Sequence, residues 1–238
     1  ILECGEAGLC DDLIISEYIE GDSHNKAIEL FNPSNEAIDL APYTMELYNN
    51  GATDPNQELN LSGLILPGGT YVIGNSQATP SLQNTSDITS QITWYNGNDA
   101  LVLSHNGEAI DIMGVVGQFT DDAWTVSSGG AMAEHTLVRK PNVGHGTTDW
   151  EESQTQWDSY PQDTFDFLGS HQVTCGGLGT MAVGFDAPEL YVNEGGGVTV
   201  SISPTYPIED IEIELNIVGG DAVSGIDFPD VFPLSFNF

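Results

Sequence analysis

Apolar and polar residues alternate along most of this chain, in runs too short for helices and punctuated by turn residues. The first run, Leu13–Glu20 (LIISEYIE), reads as a strand. Successive strand side chains point to opposite faces, so strict alternation places Ile14, Ser16 and Tyr18 on one side. Leu13, Ile15, Glu17 and Ile19 then fall on the other. A polar loop follows, then KAIELF, an Asn-Pro break and AIDLAPYTMELY, ending at Asn50-Gly51. Leu64–Leu66, Pro67-Gly68-Gly69 and TYVIG predict a further strand-turn-strand unit. The clearest hairpin is ALVLS, Asn106-Gly107, AIDIMGVVG, because Asn-Gly tolerates the positive φ of a two-residue turn. TLVRK ends the series against Pro141. No segment keeps a helical period over three turns, so the pattern predicts an all-β protein of the sandwich type.

The pattern also divides the chain. Residues 1–11 read as a short acidic arm and residues 12–175 as the main sandwich. Within it, Trp150–Ser170 is polar and aromatic and is expected to wrap the surface, pinned by Trp157, Phe165 and Leu168. GGLGTM, residues 176–181, is the best linker, with the boundary near residue 178. Short strands resume over residues 182–238, which form a second segment.

Charge then narrows the function. The 238 residues carry 36 Asp and Glu against Lys26, Arg139 and Lys140, a formal net charge of -33. That self-repulsion calls for screening salt or bound cations, as in a saline or calcium-rich external medium. Neutralising a phosphate backbone takes roughly 6–10 cationic contacts, so direct nucleic-acid binding is disfavoured. An anionic membrane surface is disfavoured for the same reason. No window approaches the ~18 apolar residues of a spanning helix, so no membrane insertion is expected. The chain starts without Met or a basic-then-apolar segment, and a signal peptide is expected to be already removed or absent. The three cysteines, Cys4, Cys10 and Cys175, form no CxxC pair. In an exported protein they predict one disulfide and one spare thiol. Cys10–Cys175, which brackets the sandwich, is preferred to a local Cys4–Cys10 clip, and both stay open.

The acids of the first hairpin need a reason. Glu17, Glu20, Asp22 and Glu29 cluster about the loop that carries Lys26. Glu17 and Glu29 are placed as cross-strand neighbours, where like charges repel unless something positive intervenes. Lys26 pairing with a glutamate to lock the loop is the expected solution, and a bound cation is the other. Catalysis has little support. The chain lacks G-x-S-x-G, H-E-x-x-H and a Gly-rich phosphate loop, and its five histidines are scattered in polar contexts. His145 with Asp149, or His135 with Glu134, pairs on paper, but 36 acids make such pairs easily by chance. Trp94, Tyr95, Trp150, Trp157 and Tyr160 are expected in the core, with sugar stacking as the alternative.

Several blocks, in order, resemble a known family: ISEYIEGDSHNKAIELFNPSNEAIDL, LPGGTYVIG, NGNDALVL, IDIMGVVG, Trp124, TLVRK and DTFDFLGSH. From residue 12 to about 170 the chain is similar to the bacterial lamin-tail domain. The resemblance implies an immunoglobulin-like β-sandwich in a secreted or surface protein, beside nucleases, other hydrolases or adhesion modules. ELYVNEGGGVTVSI and IEIELNIVGGDAVSGIDFPDVFPLSFNF resemble the first two-thirds of a Calx-beta repeat, a β-sandwich that often binds calcium. Glu194, Asp227 and Asp230 match its acidic positions, Asp221 is close by, and a carbonyl of Gly195–Gly197 is a further candidate ligand. The repeat is incomplete at Phe238, so either more chain follows or a neighbour completes the sheet by strand addition.

Together these readings predict a non-catalytic extracellular or cell-surface module for adhesion or fibre-like assembly, stabilised by calcium or other cations. Its expected partners are proteins, including copies of itself at an open sheet edge. The alternatives are an accessory domain of a secreted nuclease or hydrolase, and a carbohydrate-binding module.

Overall fold

The computed structural model describes residues 10, 12–174, 183–185 and 202–204. The chain divides into two compact units, Ile1–Gly177 and Leu178–Phe238.

The described residues of the first unit form twelve strands and two short α-helices. In chain order these are β1 (Ile14–Glu20), β2 (Lys26–Phe31), β3 (Ile38–Asp39), β4 (Tyr43–Tyr48), β5 (Gln57–Asn60), β6 (Leu64–Ile65) and β7 (Thr70–Gly74). Helix α1 (Pro80–Thr85) precedes β8 (Ile88–Thr89), β9 (Ala100–His105), β10 (Glu108–Met113) and β11 (His135–Arg139). Helix α2 (Trp150–Ser153) and β12 (Trp157–Pro161) complete the unit. One sheet has the order β12-β11-β1-β2-β7-β8 and the other β10-β9-β4-β5, while β3 and β6 form a small pair of their own. All pairings are antiparallel except β7 with β8.

The main core lies between the sheets. Ile15, Tyr18, Ile28 and Leu137 of the larger sheet meet Met45, Leu47, Leu101 and Leu103 of the smaller one, with Trp150 and Trp157 closing one region. The Asn106-Gly107 turn has φ of 53° and 81°, the double positive φ that its sequence predicts, and it joins β9 to β10. Residues 64–74 form the expected strand, turn and strand, and the two strands have separate partners: β6 joins β3, and β7 joins β2. The stretch from Trp150 is also more regular than a surface wrap. Its residues 157–161 form β12, the edge strand beside β11. Beyond it, Phe165 and Leu168 pack on a second, smaller core of Ile19, Ala27, Val72, Ala78 and Leu82, on the outer face of the larger sheet.

Strict alternation fails in β1. The β1–β2 register passes from Ile15↔Leu30 to Glu17↔Glu29, so Ser16 is the extra residue of a β-bulge. A one-residue insertion reverses the facing of everything after it. Ile15 and Tyr18 therefore share the inter-sheet core, whereas Glu17 and Ile19 face outward. A second bulge at Ile110, in β10, sets Asp111 opposite Leu103.

In the second unit, β13 (Val183–Phe185) pairs antiparallel with β14 (Ile202–Pro204). The expected calcium ligands Glu194, Asp221, Asp227 and Asp230 lie outside the described residues. So do most of the arm 1–11 and the linker 176–181.

Candidate functional site

Four acids in the first unit receive different solutions to burial. Ile15 pairs with Leu30 in the β1–β2 register and lies outside the β1–β11 register, which starts at Glu17↔Val138. The Ile15 N–H donates to Asp111 Oδ2 at 2.9 Å, and its carbonyl accepts from Arg139 Nε at 2.8 Å. Arg139 and Asp111 join directly at 2.6 Å, both fully buried, and a third Arg139 nitrogen donates to Gln156 at 2.6 Å. The guanidinium lies 4.3 Å over the Trp157 ring, and Asp111 also accepts from the amides of Ile112 and Thr147. Backbone groups of Ile15, which have no partner in the β1–β11 register, are thus satisfied by a buried ion pair bridging the two sheets. Sequence reasoning missed this clasp. The available signal was a guanidinium inside an apolar strand of a chain with only three cations.

Lys26 makes the second solution. Its ammonium donates to Glu20 Oε1 at 2.7 Å and to the Tyr95 carbonyl at 2.6 Å, and Glu20 is its register partner across the hairpin. The Glu20 Oε2 accepts the Glu134 amide, and the Tyr95 hydroxyl donates to the carbonyls of Ile19 and Ala27. Lys26 therefore fastens the loop end through Glu20. This corrects the expectation that it would stand between Glu17 and Glu29, because those residues lie further down the strands.

Glu17 and Glu29 are the third and fourth acids. They are direct register partners on the outer face, 1% and 0% exposed. Glu29 accepts from the bulge hydroxyl of Ser16 at 2.6 Å through Oε1, and from the Gly169 amide at 2.6 Å through Oε2. Glu17 has no hydrogen-bond partner for either oxygen among the described residues. A buried carboxylate without donors is costly, so the group holds its proton. Burial first and the Glu29 charge second push Glu17 up to about 9. Glu29 rises to about 7 through burial, against the lowering effect of its donors. No described group of three or more His, Cys, Asp or Glu is arranged to hold a metal ion.

At the loop end a shallow cleft of about 220 Å³ is lined by His24, Asn75, Thr93, Trp94, Asn96 and neighbouring residues. Trp94 is 51% exposed there. The other aromatics named from sequence divide: Tyr95, Trp150 and Trp157 are buried, and Tyr160 is half-buried against Phe167. The His135 Nδ1–H donates to the Ala133 carbonyl at 2.7 Å, and not to Glu134. Asp149 caps α2 by accepting the Glu151 amide. Cys10 is disulfide-bonded. The other two cysteines, Cys4 and Cys175, lie outside the described residues.

Residues 9–117 match the family model described as Lamin Tail Domain, an immunoglobulin-like, non-catalytic fold family. Over that stretch the chain is similar to lamin tail domains, and the observed all-β sandwich agrees with that fold class. The matched stretch contains both bulges, the Glu17–Glu29 pair and Lys26. Strands β11 and β12 of the same sheet lie beyond it. No curated protein matches the chain.

Proposed function

We propose that the chain is a non-catalytic interaction module of an exported protein, acting on or outside a cell surface, in adhesion or assembly. The observation that carries this reading is the disposition of charge. Each of the three cations is committed to an internal bond: Lys26 to Glu20, Arg139 to Asp111, and Lys140 to the Thr155 carbonyl at 2.7 Å. The remaining surface is overwhelmingly acidic, and like-charged copies approach one another only when cations or salt neutralise it. The smaller sheet supplies an edge for pairing, since β5 (QELN) is mostly exposed. Leu64 and Leu66, at 60% and 63% exposure, add apolar contact area close in sequence.

The test is sedimentation velocity of the full chain in chelator, in added sodium chloride and in calcium at matched ionic strength. Association that rises with either addition supports the reading, and a monomer under all three conditions overturns it. Calcium in the second unit, at Glu194, Asp221, Asp227 and Asp230 of a Calx-beta-like repeat, belongs to the same proposal. A ligand at a hundred times its dissociation constant stabilises by about 2.7 kcal/mol, so chelation would lower Tm. An unchanged Tm at matched ionic strength would leave screening alone. The Cys10–Cys175 pairing also remains a proposal, to be read by peptide mapping without reduction.

A second reading, glycan binding, is favoured by one observation: half-exposed Trp94 beside a polar cleft. Glycan-array binding abolished by Trp94→Ala would support it. The accessory-domain reading is separated by the rest of the gene, where a catalytic domain on the same polypeptide would favour a secreted nuclease or hydrolase.

A further inference from the structure

The outer face of the larger sheet carries a strap whose hold depends on one of the buried carboxyls. Residues 164–171 leave β12 and cross this face. The Thr136 hydroxyl donates to the Thr164 carbonyl at 2.8 Å, and Phe165 and Leu168 enter the small outer core. The Gly169 amide then donates to Glu29, and the His171 ring stands edge-on to Phe31, with centroids 5.0 Å apart. Gly169 has φ +96°, a conformation suited to glycine, and an added Cβ would come within 3.3 Å of Thr85. Further along, Thr174 bonds the Pro141 carbonyl through both its amide and its hydroxyl.

Glu29 offers the strap its acceptor, and Glu17 faces Glu29 with nothing else to bond. We propose that this pair is a proton-operated latch: with a proton on Glu17 the strap lies closed over the sheet, and loss of that proton sets two charges face to face beneath it and lifts it.

The arrangement favours this direction. Glu29 has two donors and so can carry charge, while Glu17 has none and can stay buried only when neutral. Among the described residues no cation faces the pair. Asp87 adds negative potential at Glu29, and Val138 followed by Asp158 continues the register beyond Glu17 on β11 and β12. Arg139 is held by Asp111 on the inner side. Its influence is felt at His171, which burial first and that charge second lower to about 4, so the strap's histidine stays neutral while the carboxyls titrate. Of the groups available to respond to ionisation, the strap is the one bonded to the pair from outside the sheet. Sheet strands are held by ladders on both sides, and local opening draws on the less protected element.

Hydrogen–deuterium exchange of the full chain, followed by peptide mass spectrometry from pH 6 to 10, tests the latch. After correction for intrinsic exchange, protection of residues 164–171 is expected to fall as pH rises from 6 and to level off near pH 9, while β1 and β2 stay protected. Release of one proton on opening predicts roughly a tenfold loss of protection per pH unit below that point and a plateau above it. In Glu17→Gln the fall is absent, and in Asp158→Asn it remains. Identical pH profiles for wild type and Glu17→Gln overturn the proposal. If the glutamine variant does not fold, the wild-type profile decides alone: strap and sheet peptides losing protection together overturn it too.

Discussion

Two buried acidic sites lie in the same sandwich, a few residues apart on β1, and they are built on opposite principles. On the inner side, Asp111 meets a guanidinium and three backbone amides, so its charge is matched in full. On the outer side, Glu17 meets only another carboxyl. The bulge at Ser16 lies between them: Ile15 before it bonds the clasp, and Glu17 after it is turned outward under the strap. The contrast teaches that a buried acid is a fixed structural part when its donors are complete, and a titrating one when they are missing.

The harshest way to break the comparison is Arg139→Ala. It leaves the Asp111 charge buried without its ion-pair partner and the Ile15 carbonyl without a donor, an expected loss of about 3–5 kcal/mol. Urea unfolding at pH 7 would measure it. A loss no larger than a surface substitution would show that the clasp is dispensable.

Glu17→Gln should act in the other direction, and only where the acid is costly. Glu17 and Glu29 bind protons more tightly in the folded than in the unfolded chain, so their contribution to stability falls as pH rises. The fall begins near the ordinary value of 4.5 and ends at about 7 for Glu29 and about 9 for Glu17. Each group adds a slope of about 1.4 kcal/mol per pH unit within its window. Between pH 7 and 9 the wild type should therefore lose Tm with rising pH, while Glu17→Gln stays flat. A parallel decline in both proteins would place the pH dependence elsewhere.

A milder probe sharpens the inner site. A Cβ on Gly146 would lie 2.5 Å from the Ile110 carbonyl oxygen and 2.6 Å from Asp111 Cβ, beside the second bulge. Gly146→Ala should cost about 1–3 kcal/mol by displacing Asp111. Its effect should shrink in the Arg139→Ala background, because residues sharing a partner couple. Strict additivity in a double-mutant cycle would separate Gly146 from the clasp. The smallest effect is expected at Trp94→Ala, far from both acids, where stability should change by less than about 0.5 kcal/mol in thermal unfolding.

Much of the scaffold was legible from residue pattern. The Asn106-Gly107 hairpin, the strands 13–20 and 26–31, and the opposition of Glu17 and Glu29 depend on short-range rules of turn chemistry and strand pairing. What escaped was long-range. Strand β12 is a mixed polar and aromatic segment, and it becomes a strand because β11 offers it an edge. Residues 64–74 do form strand, turn and strand, but the partners of β6 and β7, which are β3 and β2, are set at long range. Lys26 sits near several acids in sequence, and only the hairpin register selects Glu20 over Glu17 or Glu29.

The sequence by itself determined the all-β class, the turn positions, the extreme acidity and the placement of two glutamates on neighbouring strands. These follow from local periodicity and composition. Only the tertiary structure decided where the chain slips by one residue, and therefore which face each acid occupies. A bulge costs one residue of register and leaves little trace in a pattern read two residues at a time. At Ser16 that single step separates a matched ion pair from an unpartnered carboxyl, because facing in a strand reverses with every residue.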